Sequence, residues 1–354
     1  MAIIENLRAA YDAPILLVIS GFVVGALFGV VAEMTGFCTR AAIVESLDRS
    51  PGKSRLRLTQ YLAALFAAIA IAQFLSLSGT VDLTKSLYWS VPVNIVTLVV
   101  GGVLFGIGMI LANGCPGRHL VLMSTGSARS LLTLTVLGLA SYATVRGILA
   151  YPRIGLEGLG SKVAVTVGLP QLLGIPQQGV AIVVLLVLLA GIVWLGLKTG
   201  VRTVVGGLAV GAIIGLGWWT TGYFAVSDFE PARPASISFT APIGETIMYL
   251  MIATGETLKF NVALVGGVLV GALASAVVGR RFEVRGFTTE LSVLRYGGGA
   301  VLMGFGAVLA LGCNMGQSLT GLSTLATGSL IATLAIIAGA CLMIALERRF
   351  DLKF

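Results

Sequence analysis

Three of the four cysteines lie where a long apolar helix is predicted to stop and a shorter one to begin. Cys115 and Cys313 each follow a glycine directly, and Cys38 follows Gly36 by two residues. A helix N-terminus offers unpaired N–H groups and about half a positive charge, which together attract anions. A neutral thiol adds a weak S–H donor on a large, polarisable atom. The pattern therefore predicts a site for an anion with a soft, sulfur-like end.

Other chemistries of cysteine lack their usual partners in this chain. The sequence contains no CxxC pair and no group of cysteines at zinc-finger spacing, and its single histidine, His119, excludes a bis-histidine haem within the chain. We therefore predict no catalytic residue, no metal ligand and no cofactor.

The break at Cys115 has a copy in the second half of the chain. Residues 101–115, GGVLFGIGMILANGC, align without a gap with residues 299–313, GAVLMGFGAVLALGC. Residues 24–36, VGALFGVVAEMTG, likewise align with residues 210–222, VGAIIGLGWWTTG. The two offsets, 198 and 186 residues, differ because about a dozen residues are inserted between the two matches in the second half. Two matches in the same order indicate an internal duplication.

The composition is that of a polytopic membrane protein. Of the 354 residues, 57% are hydrophobic and only 11% are charged, and the mean hydropathy is +1.00, whereas a soluble domain is about 25% charged. The net charge of +8 is spread over short loops, where it reports topology, so we predict no nucleic-acid partner.

We predict an all-α fold with nine transmembrane helices, because about 20 apolar residues cross the hydrocarbon core. The predicted spans are 13–34, 57–78, 92–112, 128–150, 177–197, 201–222, 259–280, 295–312 and 328–347. Four shorter apolar segments are predicted to be re-entrant half-helices that enter the membrane and return: 36–47, 114–126, 233–257 and 313–326. Loops are expected at 80–91 and 151–176.

The spans form one membrane transport domain, 1–354, built as an inverted pseudo-two-fold repeat. Repeat A covers 13–150 and repeat B covers 201–347, and the single linking helix, 177–197, makes the two repeats face opposite directions. In such folds the site lies near the midplane, between the repeats. Most of the 23 Lys and Arg residues fall on the side that carries the C-terminus. The positive-inside rule therefore places the C-terminus in the cytoplasm and the N-terminus outside.

Residues around the breaks are candidates for supporting an anion. Gly36, Gly114 and Gly312 would let the backbone approach a ligand closely. Arg118 follows the Cys115 break, where it either draws anions to the inner mouth or anchors the half-helix.

Two amides follow the third break. Asn314 and Gln317 either donate to an oxyanion or cap the short helix. His119 is expected to be structural, and Cys341, in mid-span with no break, to be a packing residue.

Four further residues are interpreted from their local context. Glu33 ends a span near Arg40, which favours a local ion pair over a proton site. Trp218 and Trp219 at a span end are typical of membrane-interface anchors. The repeat register pairs Cys38 with Phe224, so Cys38 has no thiol counterpart in repeat B.

Three segments together resemble the YeeE/YedE family of bacterial inner-membrane transporters of thiosulfate and related sulfur compounds. They are TGFCTRAA at 35–42, NGCPGRHLV at 113–121 and GCNMGQSLTGLSTLATGS at 312–329. The resemblance implies a pseudo-symmetric helical fold with half-helices, an uptake role, and a substrate path lined by cysteines at the positions of Cys38, Cys115 and Cys313.

These observations lead to the hypothesis that the chain imports thiosulfate or a closely related sulfur anion. Each path thiol would pass the ion on through weak S–H···S hydrogen bonds, without covalent chemistry. The expected partners are the anion, membrane lipids and a cytoplasmic sulfur-carrier or sulfurtransferase protein. Two alternatives remain open: a thiol–disulfide enzyme that uses Cys38 and Cys115 as a redox pair, and a module that hands a persulfide to a soluble protein.

Overall fold

The computed structural model describes residues 13–48, 55–92, 94–159, 168–224, 233–287 and 290–350. Within these ranges the chain is helical and contains no β-strand. The helices are α1 Ala13–Thr35, α2 Thr39–Leu47, α3 Leu56–Leu77, α4 Leu87–Ser90, α5 Ile95–Leu111, α6 Pro116–Ser124, α7 Ala128–Arg146, α8 Ala150–Gly158, α9 Leu169–Leu173, α10 Gln177–Thr199, α11 Val201–Phe224, α12 Thr240–Ile252, α13 Phe260–Val278, α14 Glu290–Leu309 and α15 Thr327–Arg349. A 3-10 turn at Leu83–Lys85 and a π-helical turn at Gly316–Gly321 complete the described elements.

The predicted membrane spans are confirmed. Nine segments of the described chain are long and apolar enough to cross a membrane, and each corresponds to one predicted span. The four shorter segments also contain helix, in α2, α6, α12 and the π-helical turn. The expected loops at 80–91 and 151–176 were wrong in part, because they contain α4, α8 and α9. These helices have nine residues or fewer, so they carry too little periodic signal to be recognised from sequence.

Helix packing exchanges partners between the two halves of the chain. In repeat A, α1 packs against α13 and α5 packs against α15. The equivalent helices of repeat B make the reciprocal contacts, because α11 packs against α3 and α14 packs against α7. A pseudo-two-fold axis produces this pattern of swapped pairs, so the packing is consistent with the predicted inverted repeat.

The helices α5 and α14 cross each other through four glycines. A Cβ built on Gly101 would lie 2.7 Å from the carbonyl oxygen of Gly306, and one built on Gly299 would lie 2.8 Å from that of Gly108. Gly101 aligns with Gly299, and Gly108 aligns with Gly306. The two contacts therefore join equivalent pairs of positions in the two repeats. The contacts run in opposite order along the two helices, so α5 and α14 are antiparallel. Small residues allow this close backbone approach inside a membrane.

Candidate substrate path

The two copied helix breaks share one backbone geometry. After α5 and after α14, the N–H groups of Gly114 and Gly312 donate to the carbonyl oxygen five residues earlier, at 3.2 and 2.8 Å. The residue before each glycine is left-handed, with φ 58° at Asn113 and 55° at Leu311. This Schellman arrangement satisfies the last carbonyl groups of a helix and stops it. It leaves Cys115 and Cys313 directly after the break.

Each of the three cysteines sits at the N-terminus of the following short helix. Cys38 and Cys115 are the N-cap residues of α2 and α6. At Cys313, the amide three residues further on donates to Sγ at 3.5 Å. The corresponding amides also interact with the sulfurs of Cys38 and Cys115, but they do not meet the geometry of a capping hydrogen bond. The predicted placement of the thiols at positive helix ends is therefore observed.

The three sulfurs form a sequence of neighbours. The side chains of Cys38 and Cys115 lie close enough to interact, and Cys115 also lies within electrostatic range of Cys313. Cys115 is 2% exposed and Cys313 is 0% exposed, so neither residue faces lipid. All four cysteines are free thiols. The fold thus brings together, from opposite halves, the three thiols that the sequence singled out, and we call them the path cysteines.

A cavity of about 320 Å³ lies beside Cys313, and we call it the vestibule. Its walls are the segment 234–242, the start of α12, the end of α14 and Tyr88. At its inner end, Ser238 Oγ lies 3.7 Å from Cys313 Sγ, and the Phe239 N–H donates to the same sulfur at 3.4 Å. The hydroxyl group of Ser238 and the N–H of Phe239 therefore both lie against the sulfur of Cys313, and Ser238 also lines the cavity.

The structure corrects the repeat partner of Cys38. The ungapped alignment pairs it with Phe224, but the short helix of repeat B begins at Thr240, directly after Phe239. Phe239 therefore occupies the position of Cys38, and the inserted residues precede α12. The ungapped alignment of residues 24–36 with 210–222 covers only the long helices, so it cannot show where the insertion that follows in the second half ends.

The glycines at the breaks make room for side chains of the protein itself. Gly36 has φ 62°, and a Cβ there would lie 2.8 Å from the guanidinium group of Arg57. A Cβ on Gly114 would lie 2.9 Å from His119 Nε2, and one on Gly312 would lie 3.3 Å from Gln317. These contacts give the glycines a structural role, and their approach to a ligand stays a prediction.

Two side chains at equivalent positions lie beside the breaks. Gln317 Nε2 donates to the carbonyl oxygen of Ala310 at 2.6 Å. His119 lies near the equivalent carbonyl group of Ala112, but its Nε2 forms no hydrogen bond with the described residues. His119 Nδ1 lies 3.1 Å from Ser130 Oγ. The expected structural role of His119 agrees with these contacts, and Gln317 supports the break instead of capping the turn that follows it.

Asn314 has a fully buried side chain whose amide is unpaired. The residue is 0% exposed, and neither Oδ1 nor Nδ2 has a hydrogen-bond partner among the described residues. The hydroxyl groups of Thr39 and Thr240, which are equivalent in the two repeats, are also buried without a partner there. Unpaired buried polar groups are costly and rare, so each requires an explanation. Asn314 does not cap its helix. The other prediction, that its side-chain amide donates a hydrogen bond to an anion, remains a prediction.

Two interpretations of local context were wrong. Glu33 pairs with Arg281 at 2.8 Å rather than with Arg40, because α1 ends at Thr35 and α13 lies alongside it. Trp218 is not a membrane anchor: it is fully buried and its Nε1 donates to Ser323 Oγ at 3.0 Å. Arg118 is half-buried and lies within electrostatic range of Cys38. Cys341 packs against the core from α15.

The residues that line the vestibule could not be recognised as functional candidates from the sequence. Ser238 and Glu245 lie on the inserted segment and on α12, and Tyr88 lies in a region that was expected to be a loop. Burial, followed by the proximity of Cys313, raises the pKa of Tyr88 well above its ordinary range, so its hydroxyl group remains a neutral donor. These polar side chains become functional candidates only because the tertiary structure places them around one cavity.

A helical protein whose described residues contain nine candidate membrane spans, two matching helix breaks and a cavity beside a buried thiol belongs to the class of membrane transporters. More particularly, the chain belongs to the sulphur-transport family, which matches residues 34–342. It is 26% identical over 347 residues to the thiosulfate transporter TsuA of Spirochaeta thermophila, covering 90% of this chain and 96% of that protein. It is 24% identical over 335 residues to TsuA of Escherichia coli K12, covering 86% and 87%. Transport of a sulfur compound across a membrane follows from this membership.

Proposed function

We propose that this protein imports thiosulfate across the bacterial inner membrane. The names of the two relatives support the choice of thiosulfate within the sulfur compounds. The chemistry of the site also supports it, because thiosulfate joins a hard, anionic oxygen end to a soft terminal sulfur. The donors around Cys313 suit the first end, and the path thiols suit the second.

The observation that carries the proposal is the order of the sulfurs. Cys313 adjoins the vestibule, Cys115 lies within electrostatic range of Cys313, and Cys38 contacts Cys115. An anion that enters from the vestibule would meet Cys313, then Cys115, then Cys38. Arg118 lies near the last thiol, where it would attract the anion to the exit.

Each step exchanges one weak hydrogen bond for another. A neutral thiol donates S–H to the terminal sulfur of the anion, and the helix N-terminus behind it stabilises the negative charge. No covalent bond forms, and no oxidant or reductant is needed. Weak, repeated sites suit conduction because the ion must leave each site as easily as it entered.

Orientation follows from the positive-inside rule, so the vestibule opens to the outside and Arg118 faces the cytoplasm. Import of a dianion against an inside-negative potential costs about 2.3 kcal/mol per charge per 100 mV. We propose that consumption inside the cell drives the flow, with a soluble sulfur-carrier or sulfurtransferase protein as the acceptor.

Uptake of radiolabelled thiosulfate into liposomes tests this function. Wild-type protein should take up thiosulfate down an imposed gradient, and an excess of sulfate should compete poorly because sulfate lacks the terminal sulfur. Cys115→Ala should abolish uptake, whereas Cys341→Ala, a matched control outside the path, should retain it. Normal uptake by a correctly inserted Cys115→Ala protein would disprove the relay.

A redox function is the second candidate, because Cys38 and Cys115 are in contact. A thiol–disulfide enzyme would cycle through a bond between these two sulfurs. Mass spectrometry of protein isolated during turnover distinguishes the candidates: the transporter keeps both thiols reduced, and the enzyme accumulates the disulfide.

A further inference from the structure

The vestibule has an acidic group on its wall and no basic one. Among the described residues that line it, Glu245 is the single carboxylic acid, and none is Arg, Lys or His. A dianion that enters this cavity therefore passes a carboxyl group before it reaches Cys313. In a partly buried site, two like charges at close range repel each other strongly. The protonation state of Glu245 consequently decides whether the cavity accepts an anion.

The side chain of Glu245 is held in a fixed position. Asn261 Nδ2, at the start of α13, donates to Glu245 Oε2 at 2.9 Å, and both residues line the vestibule. The other charged or titratable groups near this end of the surrounding elements are Arg233, Lys259, Tyr88, Tyr142, Arg146 and Tyr249. Lys259 pairs with Glu256 at 3.1 Å. No cation in the described structure neutralises Glu245 by direct contact.

We propose that Glu245 is a substrate-binding residue that acts in its protonated form, its O–H group donating a hydrogen bond to an oxygen of the anion in the vestibule. This inference rests on the proposed function, because it assumes that the anion enters through this cavity. Ionised Glu245 closes the cavity to anions, and uptake follows the protonation of this one side chain. No proton is consumed, since the acid keeps its proton when the anion moves on.

The electrostatics of the site agree with this role. Burial raises the pKa of Glu245, and the hydrogen bond from Asn261 and the charge of Lys259 oppose the increase. A raised pKa extends the protonated form to higher pH, and the protonated fraction falls as the pH rises through it. Uptake should therefore be high in acid and decrease towards alkaline pH.

Initial uptake of thiosulfate into liposomes, with the membrane potential clamped, tests the proposal. Between about pH 5 and about pH 8, wild-type uptake should fall by about tenfold or more. In Glu245→Gln, whose amide is a permanent neutral donor, this ratio should drop below about twofold. Glu157→Gln, a matched change at a half-buried ion pair with Arg153 that does not line the vestibule, should keep the wild-type profile.

A second variant, at Asn261, tests Glu245 through its hydrogen-bond partner. Asn261→Leu removes the hydrogen bond that favours ionised Glu245, so the midpoint of the profile should move to higher pH. A merely structural role for Asn261 would lower the amount of folded protein without moving the midpoint. An unchanged pH profile in Glu245→Gln, or a flat wild-type profile in an active protein, overturns the role of Glu245 alone. A wild-type protein that takes up no thiosulfate at any pH overturns the proposed function itself.

Discussion

The break at Cys115 and the break at Cys313 have the same backbone and different surroundings. Both follow a Schellman motif. Gln317 donates a hydrogen bond back across one break, and His119 occupies the equivalent position at the other. At Cys115 the neighbouring group is another thiol, Cys38. At Cys313 it is the hydroxyl group of Ser238 and the amide of Phe239. The same backbone geometry thus occurs twice, with a thiol as the neighbour at Cys115 and with hydroxyl and amide groups as the neighbours at Cys313.

On the proposed import path, this difference would give the two ends separate tasks. Hydroxyl and amide donors suit the oxygens of an arriving anion, and paired thiols suit its terminal sulfur. The four predictions that follow test this division, beginning with the largest expected effect.

Serine substitution should separate the two breaks. Cys115→Ser replaces a soft donor where the remaining neighbour is a thiol, and it should lower uptake by about 100-fold, equivalent to about 2.7 kcal/mol. Cys313→Ser places a hydroxyl group among hard donors and should cost about tenfold or less. Liposome uptake at equal protein incorporation measures both. Equal losses in the two variants would contradict the division of tasks.

Asn314 sharpens the comparison because its counterpart in repeat A is Pro116, which has no side-chain amide. Asn314→Leu removes an unpaired buried amide at similar volume, so the thermal stability of the folded protein should stay the same or rise. Uptake should nevertheless fall by about tenfold, because a donor to the anion is lost. Unaltered uptake would show that this amide does not contact the substrate, and a drop in stability would reveal a partner inside the protein.

Gln317 and His119 should be interchangeable if the two breaks are stabilised in the same way. Gln317→Met removes the hydrogen bond to Ala310 and leaves a buried carbonyl group unpaired, which should destabilise the protein by about 1–3 kcal/mol. His119→Gln places the residue of one break in the other and should cost less than His119→Met. Thermal unfolding in detergent ranks the three variants. The opposite ranking of the His119 variants would mean that the two side chains work differently.

The smallest effect concerns the left-handed residue before each glycine. Leucine pays about 1–2 kcal/mol in this conformation, which asparagine tolerates better. Leu311→Asn should therefore stabilise the protein by up to about 1 kcal/mol. The loss of the apolar contacts between Leu311 and Leu98 reduces this gain. Asn113→Leu should destabilise it by a similar amount. Unfolding temperatures measure both, and changes of the same sign in both variants would refute the shared-strain explanation.

The expected structure was accurate where the signal is local. Spans, helix breaks and the thiols beside them follow from runs of apolar residues and from the glycines that end those runs, each within about 20 residues. The nine spans are confirmed for this reason. The prediction that Trp218 anchors the protein at the membrane interface was wrong, because the position of a residue at the end of a span does not show which helix packs over it.

The sequence by itself determined that this is a membrane protein, and it predicted two related halves with a thiol at each copied break. Hydropathy and helix termination are properties of short segments, so they can be read directly from the order of residues. Only the tertiary structure decided that Phe239 takes the place of Cys38, that Asn314 is buried unpaired, and that Glu245 and Tyr88 border one cavity. Those facts depend on how helices far apart in the chain pack together, because packing determines which side chains share a space and which lose their contact with water.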